Sequence, residues 1–238
     1  MAIFVLISGA WHAGWCWERV VPKLQAAGHQ ALAPDLLGMG EDKTPLCQIS
    51  LEIWAKQIAA LIKMQSEPVI LVGHSRGGVV ISAAAELVPN RIKTLAYLAA
   101  FLLPPGETLL AMSTRTPREN GDILLHRPDG TSTVRPEAVG PAFYNTTAPE
   151  WVARAVAFIT PEPMALFTTK LPVTPARYGS VPRAYIECTE DRAVPLVLQR
   201  EMQDALPCDP VFTLSTDHSP FYSDPDALTS CLLQLAEA

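Results

Sequence analysis

Val69-Ile70-Leu71-Val72-Gly73-His74-Ser75-Arg76-Gly77-Gly78 decides the reading of this chain: an apolar run of strand type ends abruptly and continues as a small-residue helix. A serine sits at the reversal. A serine hydroxyl is a poor nucleophile at neutral pH, and it becomes useful when held clear of its neighbours, beside a base and at a helix N-terminus. Gly73 and Gly77 permit so sharp a turn, because a Cβ at either position would collide with the crossing backbone. The segment reads as a nucleophile elbow centred on Ser75.

Outward from the elbow, short β-branched runs alternate with longer segments of helical period. The expected strands are Ile3 to Ile7, Gln30 to Ala33, Val69 to Val72, Thr94 to Leu98, Arg183 to Cys188 and Val211 to Leu214. Several lack polar alternation, which predicts an α/β fold with a mainly parallel six-stranded sheet flanked by helices. Helices are expected over Trp17 to Ala27, over Leu51 to Met64 with Ser50 as cap, over Gly78 to Val88, and from Pro225 onward. Residues 103–177 break this rhythm with many prolines and glycines, a polar stretch around His126 to Thr133 and a helical patch near Trp151 to Phe158. They read as an inserted cap on a core of residues 1–102 and 178–238. Such a cap can wall a pocket with Phe143, Tyr144, Trp151, Phe158, Met164 and Phe167, or use the same aromatics to hold itself together.

With 238 residues the chain is long enough to bury a proper core as one domain with an insertion. A net charge of −6 without any basic cluster argues against nucleic acid or an anionic membrane as partner. The apolar start, Met1 to Ile7, lacks a positive flank and is too short to span a bilayer, so it is read as a first buried strand. Cys16, Cys47, Cys188, Cys208 and Cys231 are scattered without a CxxC pair and are expected as reduced, buried thiols. Asn145-Thr146-Thr147 matches a glycosylation sequon, read as idle in a chain with no secretory signal, and the expected location is cytoplasmic.

An elbow serine needs a base, an orienting carboxylate and donors for the oxyanion, in the chain order serine, acid, histidine. Of the five histidines, His218 in Thr216-Asp217-His218-Ser219-Pro220 follows both the serine and a strand-end acid, and is assigned as general base. Asp191, in the polar loop after the Arg183 to Cys188 strand, is the first choice of acid; Glu190 is an adjacent rival, and Asp217 lies too close to His218 in sequence to bridge it easily. The oxyanion donors should be the backbone N–H groups of Arg76 and Ala10, the latter in the loop Ser8-Gly9-Ala10-Trp11-His12. The Arg76 guanidinium is expected as a surface or cap contact with no part in bond making. His74 is expected to pack under the nucleophile, His12 to lie hydrogen-bonded in or bracing the oxyanion loop, and His29 and His126 to be exposed. Leu37-Gly38-Met39-Gly40 is read as a turn, since no phosphate-loop pattern accompanies it, and no HExxH or carboxylate cluster asks for a metal.

Gly9 to Trp17, the elbow GHSRGG, Cys188-Thr189-Glu190-Asp191 and Asp217-His218-Ser219-Pro220-Phe221 together resemble the α/β-hydrolases that include plant methyl esterases, hydroxynitrile lyases and bacterial carboxylesterases of the EstC type. The resemblance implies the α/β-hydrolase fold, a helical cap and ester hydrolysis with neither cofactor nor metal. Two departures stand out. Ser8 occupies a place where the family commonly has histidine, and the threonine and lysine of the lyases are replaced here by Gly9 and Ser219. The expected activity is therefore that of a serine carboxylesterase on a small to medium hydrophobic ester, with Gly9, Phe101, Phe143, Trp151 and Phe158 against the substrate. A small-molecule ester is the expected partner, met by a monomer or homodimer. A hydroxynitrile lyase, a small-molecule receptor and a cofactor-free dioxygenase on the same scaffold are the alternatives.

Overall fold

The computed structural model describes residues 1–116 and 122–237; residues 117–121, inside the expected cap, and residue 238 lie outside the described residues. In chain order the strands are Ile3–Ile7 (β1), Gln30–Leu32 (β2), Val69–His74 (β3), Ile92–Leu98 (β4), Leu124–His126 (β5), Thr131–Val134 (β6), Glu162–Pro163 (β7), Arg183–Cys188 (β8) and Val211–Leu214 (β9). Six of these form one parallel sheet in the order β2-β1-β3-β4-β8-β9. β1 and β3 are apolar and buried along their whole length, as strands covered on both faces must be. The chain first builds outward from β1 to β2, then crosses back to β3 and continues in the other direction. Neighbouring connections therefore diverge at the carboxyl ends of β1 and β3 and open a crevice there. The loop that begins at Ser8 leaves β1 at this point, and Ser75 leaves β3 beside it.

The covering helices follow from sequence in the same way. Leu51–Lys63 starts where the Ser50 hydroxyl accepts a hydrogen bond from the Ile53 N–H at 3.3 Å, and it buries Trp54, Ile58 and Ile62. Burial of side chains of this size contributes roughly 1.5–3 kcal/mol each. Gly77–Leu87, rich in alanine and buried from Gly77 to Ala85, packs directly on the sheet. Pro225–Glu237 closes the chain.

Two elements differ from expectation. The segment 17–27 is not one helix: a 3-10 turn at Gly14–Trp17 precedes a short α-helix, Val21–Ala26. Pro22 has no N–H to give to a preceding turn, so it is accommodated in the first turn and not in the helix interior. The segment 103–177, expected as a helical cap, is not purely helical. Its polar stretch forms the β5-β6 hairpin, extended by β7 into a three-stranded antiparallel sheet, beside the helices Leu109–Ser113, Pro136–Phe143, Pro149–Phe158 and Ala165–Thr168. Asp129 accepts from the Thr131 N–H at 3.0 Å and stabilises the hairpin turn. All five cysteines are free thiols, and Cys47 is exposed where a buried position was expected. Among the described residues no helix is long and apolar enough to cross a membrane.

Candidate active site

Ser75 adopts φ 53°, a left-handed backbone that few non-glycine residues adopt. The turn is fixed from both sides. The Ser75 N–H donates to the Leu98 carbonyl at 3.1 Å, and its own carbonyl accepts from Gly78 and Phe101 at 3.0 Å each. A Cβ on Gly73 would lie 2.7 Å from the Gly77 carbonyl oxygen, and one on Gly77 would lie 2.8 Å from that of Ile7. The close crossing inferred from the elbow sequence is thus present. Among the described residues the Ser75 hydroxyl has no hydrogen-bond partner, and Ser75 lines a pocket.

Asp191 and His218 follow β8 and β9 and meet. His218 Nδ1 lies 2.7 Å from Asp191 Oδ2, with the histidine 1% exposed and the aspartate 5%. The other oxygen, Oδ1, accepts from the N–H groups of Ala193 and Val194 at 2.8 Å each, so the carboxylate cannot swing away. A carboxylate only accepts, so Nδ1 carries the proton shared with Asp191, and the ring offers Nε2 on its other side. The rival Glu190 makes no such contact; its carbonyl receives the Asn145 side chain and its carboxylate faces Thr189. His74, the residue before Ser75, joins the two loops. Its Nε2 donates to the His218 carbonyl at 2.8 Å, and the two rings lie tilted at 50° with centroids 4.6 Å apart. Burial holds His74 well below the ordinary imidazole range, so it packs there as a neutral ring.

Asp217 has a separate role. Fully buried, it accepts through Oδ2 from the Thr146 N–H and the Thr147 hydroxyl at 2.9 and 2.8 Å, and through Oδ1 from the Ser219 N–H and Ser223 hydroxyl at 3.0 and 2.8 Å. The threonines of the sequon-like tripeptide thereby lace the cap to the histidine loop.

The loop after β1 presents the Ala10 N–H, which has no acceptor among the described residues; nor has the Arg76 N–H at the opening of the following helix. Both residues line one pocket with Ser75. The Ala10 carbonyl accepts from His12 Nδ1 at 2.7 Å, and His12 Nε2 accepts from the Tyr144 hydroxyl of the cap at 2.6 Å. Burial brings the His12 imidazole down to about 4, so the ring is neutral and braces the loop. The Arg76 side chain is not at the surface. It is 3% exposed and pairs at 3.1 Å with Glu162, itself 0% exposed. The same guanidinium donates to the Gly9 carbonyl at 2.8 Å and lies 4.4 Å over the Trp54 ring. Glu162 also accepts from the Trp11 N–H at 3.1 Å. Burial raises the Glu162 carboxyl above its usual range despite the opposing pull of Arg76.

The pocket is a cavity of about 60 Å³ with apolar walls. Phe101 and Phe143 line it as expected, and Phe167, foreseen as a cap wall, joins them with Trp11. Leu109, Ile123, Ala142, Ala193 and Val194 were not foreseen, nor were Ser113 and Arg192; single aliphatic or polar residues in irregular segments carry no sequence signal for a pocket. Trp151 and Phe158, expected against the substrate, lie elsewhere. Trp151 packs on Tyr222 at 4.9 Å and under Arg19, and Phe158 on Trp15 at 5.8 Å and under Arg154. Both sit on the helix Pro149–Phe158, whose apolar face turns to the core loops and not to the cavity. Gly9 is not a wall but a point of close approach: a Cβ there would lie 2.8 Å from His74 Nδ1 and 2.9 Å from Ser75 Cβ. His126 is exposed as expected, while His29 is half-buried and accepts from the Ala2 N–H at 3.0 Å. Among the described residues no group of three or more His, Cys, Asp and Glu could hold a metal.

Comparison with known proteins agrees with this architecture. Methylesterase 7 of Arabidopsis thaliana is 31% identical over 249 residues, covering 98% of this chain and 96% of that protein. A putative chloroplastic methylesterase 11 of the same plant is 33% identical over 247 residues, covering 98% of this chain, which spans 63% of that longer relative. Among solved structures, a pyrethroid hydrolase from Sphingobium faniae superposes with a TM-score of 0.87 at 31% identity, covering 100% of this chain and 98% of that one. The family described as the alpha/beta hydrolase family matches residues 4–230. That match runs from β1 into the last helix and takes in every loop that meets at the sheet reversal, so the chain belongs to the alpha/beta hydrolase family.

Proposed function

We propose that this protein is a serine carboxylesterase in which Ser75 is the nucleophile, His218 the general base and Asp191 the orienting acid. The observation that carries the reading is the buried Asp191–His218 pair at 2.7 Å, held against the elbow of Ser75 through the His74–His218 carbonyl bond at 2.8 Å. The Ser75 oxygen attacks the ester carbonyl carbon as its proton passes to His218 Nε2, and Asp191 stabilises the imidazolium. Negative charge gathers on the former carbonyl oxygen, where the Ala10 and Arg76 N–H groups receive it. The imidazolium then protonates the departing alkoxide, leaving an acyl-serine. Water, deprotonated by the same histidine, attacks that acyl group and releases the acid, so the cycle closes with no cofactor and no metal. Ester hydrolysis is the chemistry for which the relatives above are named.

The lining of the pocket, dominated by Trp11, Phe101, Leu109, Phe143 and Phe167, suits a hydrophobic ester. Against cyanohydrin cleavage stands Gly9: the threonine associated with that chemistry would bring its Cβ to 2.8 Å from His74 Nδ1, so the loop would have to move. A cytoplasmic location is part of the proposal, supported by the five free thiols, as is action as a monomer or homodimer. The experiment is Ser75→Ala assayed on p-nitrophenyl acetate. A loss of about two orders of magnitude or more with an unchanged melting temperature is expected, and unchanged turnover would reject the assignment.

A further inference from the structure

We propose that the Arg76 side chain, held by Glu162, polarises the Gly9–Ala10 peptide and aims its N–H at the reacting carbonyl oxygen. The inference rests on the esterase reading above and assigns a positioning role to two buried side chains that the proton-transfer steps do not use.

The Gly9 carbonyl and the Ala10 N–H belong to one planar trans peptide and point in opposite directions. A donor fixed on that oxygen therefore fixes the direction of the hydrogen on the other side. Arg76 Nη2 is that donor, at 2.8 Å, and it is cationic. A charged donor on the carbonyl draws electron density through the amide and makes its N–H a stronger donor in turn. Arg76 thus serves both halves of the oxyanion site, one through its own N–H and the other through its guanidinium. Glu162 completes the clamp: its Oε2 takes Arg76 Nη2 and the Trp11 N–H at 3.1 Å each, which also holds Trp11 at its φ of 62°.

Stability alone is a poor reason for this pair. Buried ion pairs lose so much hydration that an apolar pair of similar volume often does better. Among the described residues, Arg76 Nε and Nη1 and Glu162 Oε1 of this pair have no hydrogen-bond partner. Nor is it needed to tether the cap, which His12–Tyr144 and Asp217–Thr147 already do. The guanidinium charge lies behind the peptide whose N–H faces the substrate oxygen on which negative charge develops, where it is worth more in the transition state than in the ground state. The effect therefore belongs in kcat.

The test compares Arg76→Met, Arg76→Lys and the double variant Arg76→Met/Glu162→Gln on p-nitrophenyl acetate, with an aryl trifluoromethyl ketone as probe of the oxyanion site. Weakening one donor predicts a fall in kcat of about tenfold in Arg76→Met and in the double variant. KM should stay within about twofold, and Arg76→Lys should recover part of the loss. Affinity for the trifluoromethyl ketone, whose adduct places an oxyanion at the same spot, should fall by the same factor as kcat. Should Arg76→Met fail to fold, the double variant, which strands no buried charge, carries the comparison. Wild-type kcat in the double variant, a loss confined to KM, or unchanged ketone affinity would overturn the inference. If Ser75→Ala is inactive while the Arg76 variants keep full kcat, this inference alone falls; if Ser75→Ala keeps its turnover, the esterase reading falls first.

Discussion

Acidification should unfold this protein in part through His12, and the size of the effect can be worked out. The ring is fully enclosed between the oxyanion loop and the cap, and burial lowers it from 6.5 to about 4. Nδ1–H donates to Ala10 and Nε2 accepts from Tyr144, so the neutral ring is satisfied on both sides. In the unfolded chain the imidazole is free to titrate at its ordinary value. Between the two values the unfolded chain holds one more proton than the folded one, so stability is complete above about pH 6.5 and is withdrawn as pH falls toward 4. A difference of roughly two and a half units, at about 1.4 kcal/mol each, amounts to about 3 kcal/mol. His74 and the carboxylates titrate as well, so the wild type must be set against His12→Asn. The shorter amide can still donate to the Ala10 carbonyl but takes up no proton. Urea unfolding near pH 7, about pH 5.5 and about pH 4.5 should show His12→Asn less stable than wild type at neutral pH, with the gap narrowing in acid by about 2.4 kcal/mol at about pH 4.5. Parallel stability curves for the two proteins would refute the reasoning.

Further outcomes follow from the same geometry. In Asp191→Asn the Ala193 and Val194 N–H groups keep the amide oxygen, so the NH2 faces His218 Nδ1 and forces the tautomer protonated on Nε2; kcat should drop by about three orders of magnitude with little change in melting temperature. Asp217→Asn replaces acceptors by a donor among four hydrogen-bond donors, and thermal melting should report a loss of about 1–3 kcal/mol, a shift of several degrees. Phe143→Leu should shift the preference in a graded series of p-nitrophenyl esters toward bulkier acyl groups, whereas Phe158→Leu, outside the cavity, should leave that preference unchanged.

The sequence was most legible where chemistry and backbone constrain each other. Residues 183–188 and 211–214 form strands over the limits read from their apolar runs, and the elbow glycines make the predicted contacts. Sequence alone leaves Glu190 open beside Asp191, and the 2.7 Å contact of Asp191 Oδ2 with His218 Nδ1 separates them. Legibility failed where partners are distant or walls are anonymous. The Arg76–Glu162 pair spans 86 residues and two architectural layers, and no periodicity links its members. The strands of the β5-β6 hairpin, Leu124-Leu125-His126 and Thr131-Ser132-Thr133-Val134, are short and lack the alternation that marks a strand with one buried face. Trp151 and Phe158 were misplaced because aromatic content alone does not say which way a helix faces.

Glu162, Tyr144, Thr146 and Thr147 all belong to the cap, yet each binds a core loop that frames the reaction centre. The cap is therefore not an interchangeable module. A chimera that grafts a foreign lid to obtain new selectivity would cut four fastenings of the machinery beneath it, and it would regain turnover only if those four residues travelled with the transplant.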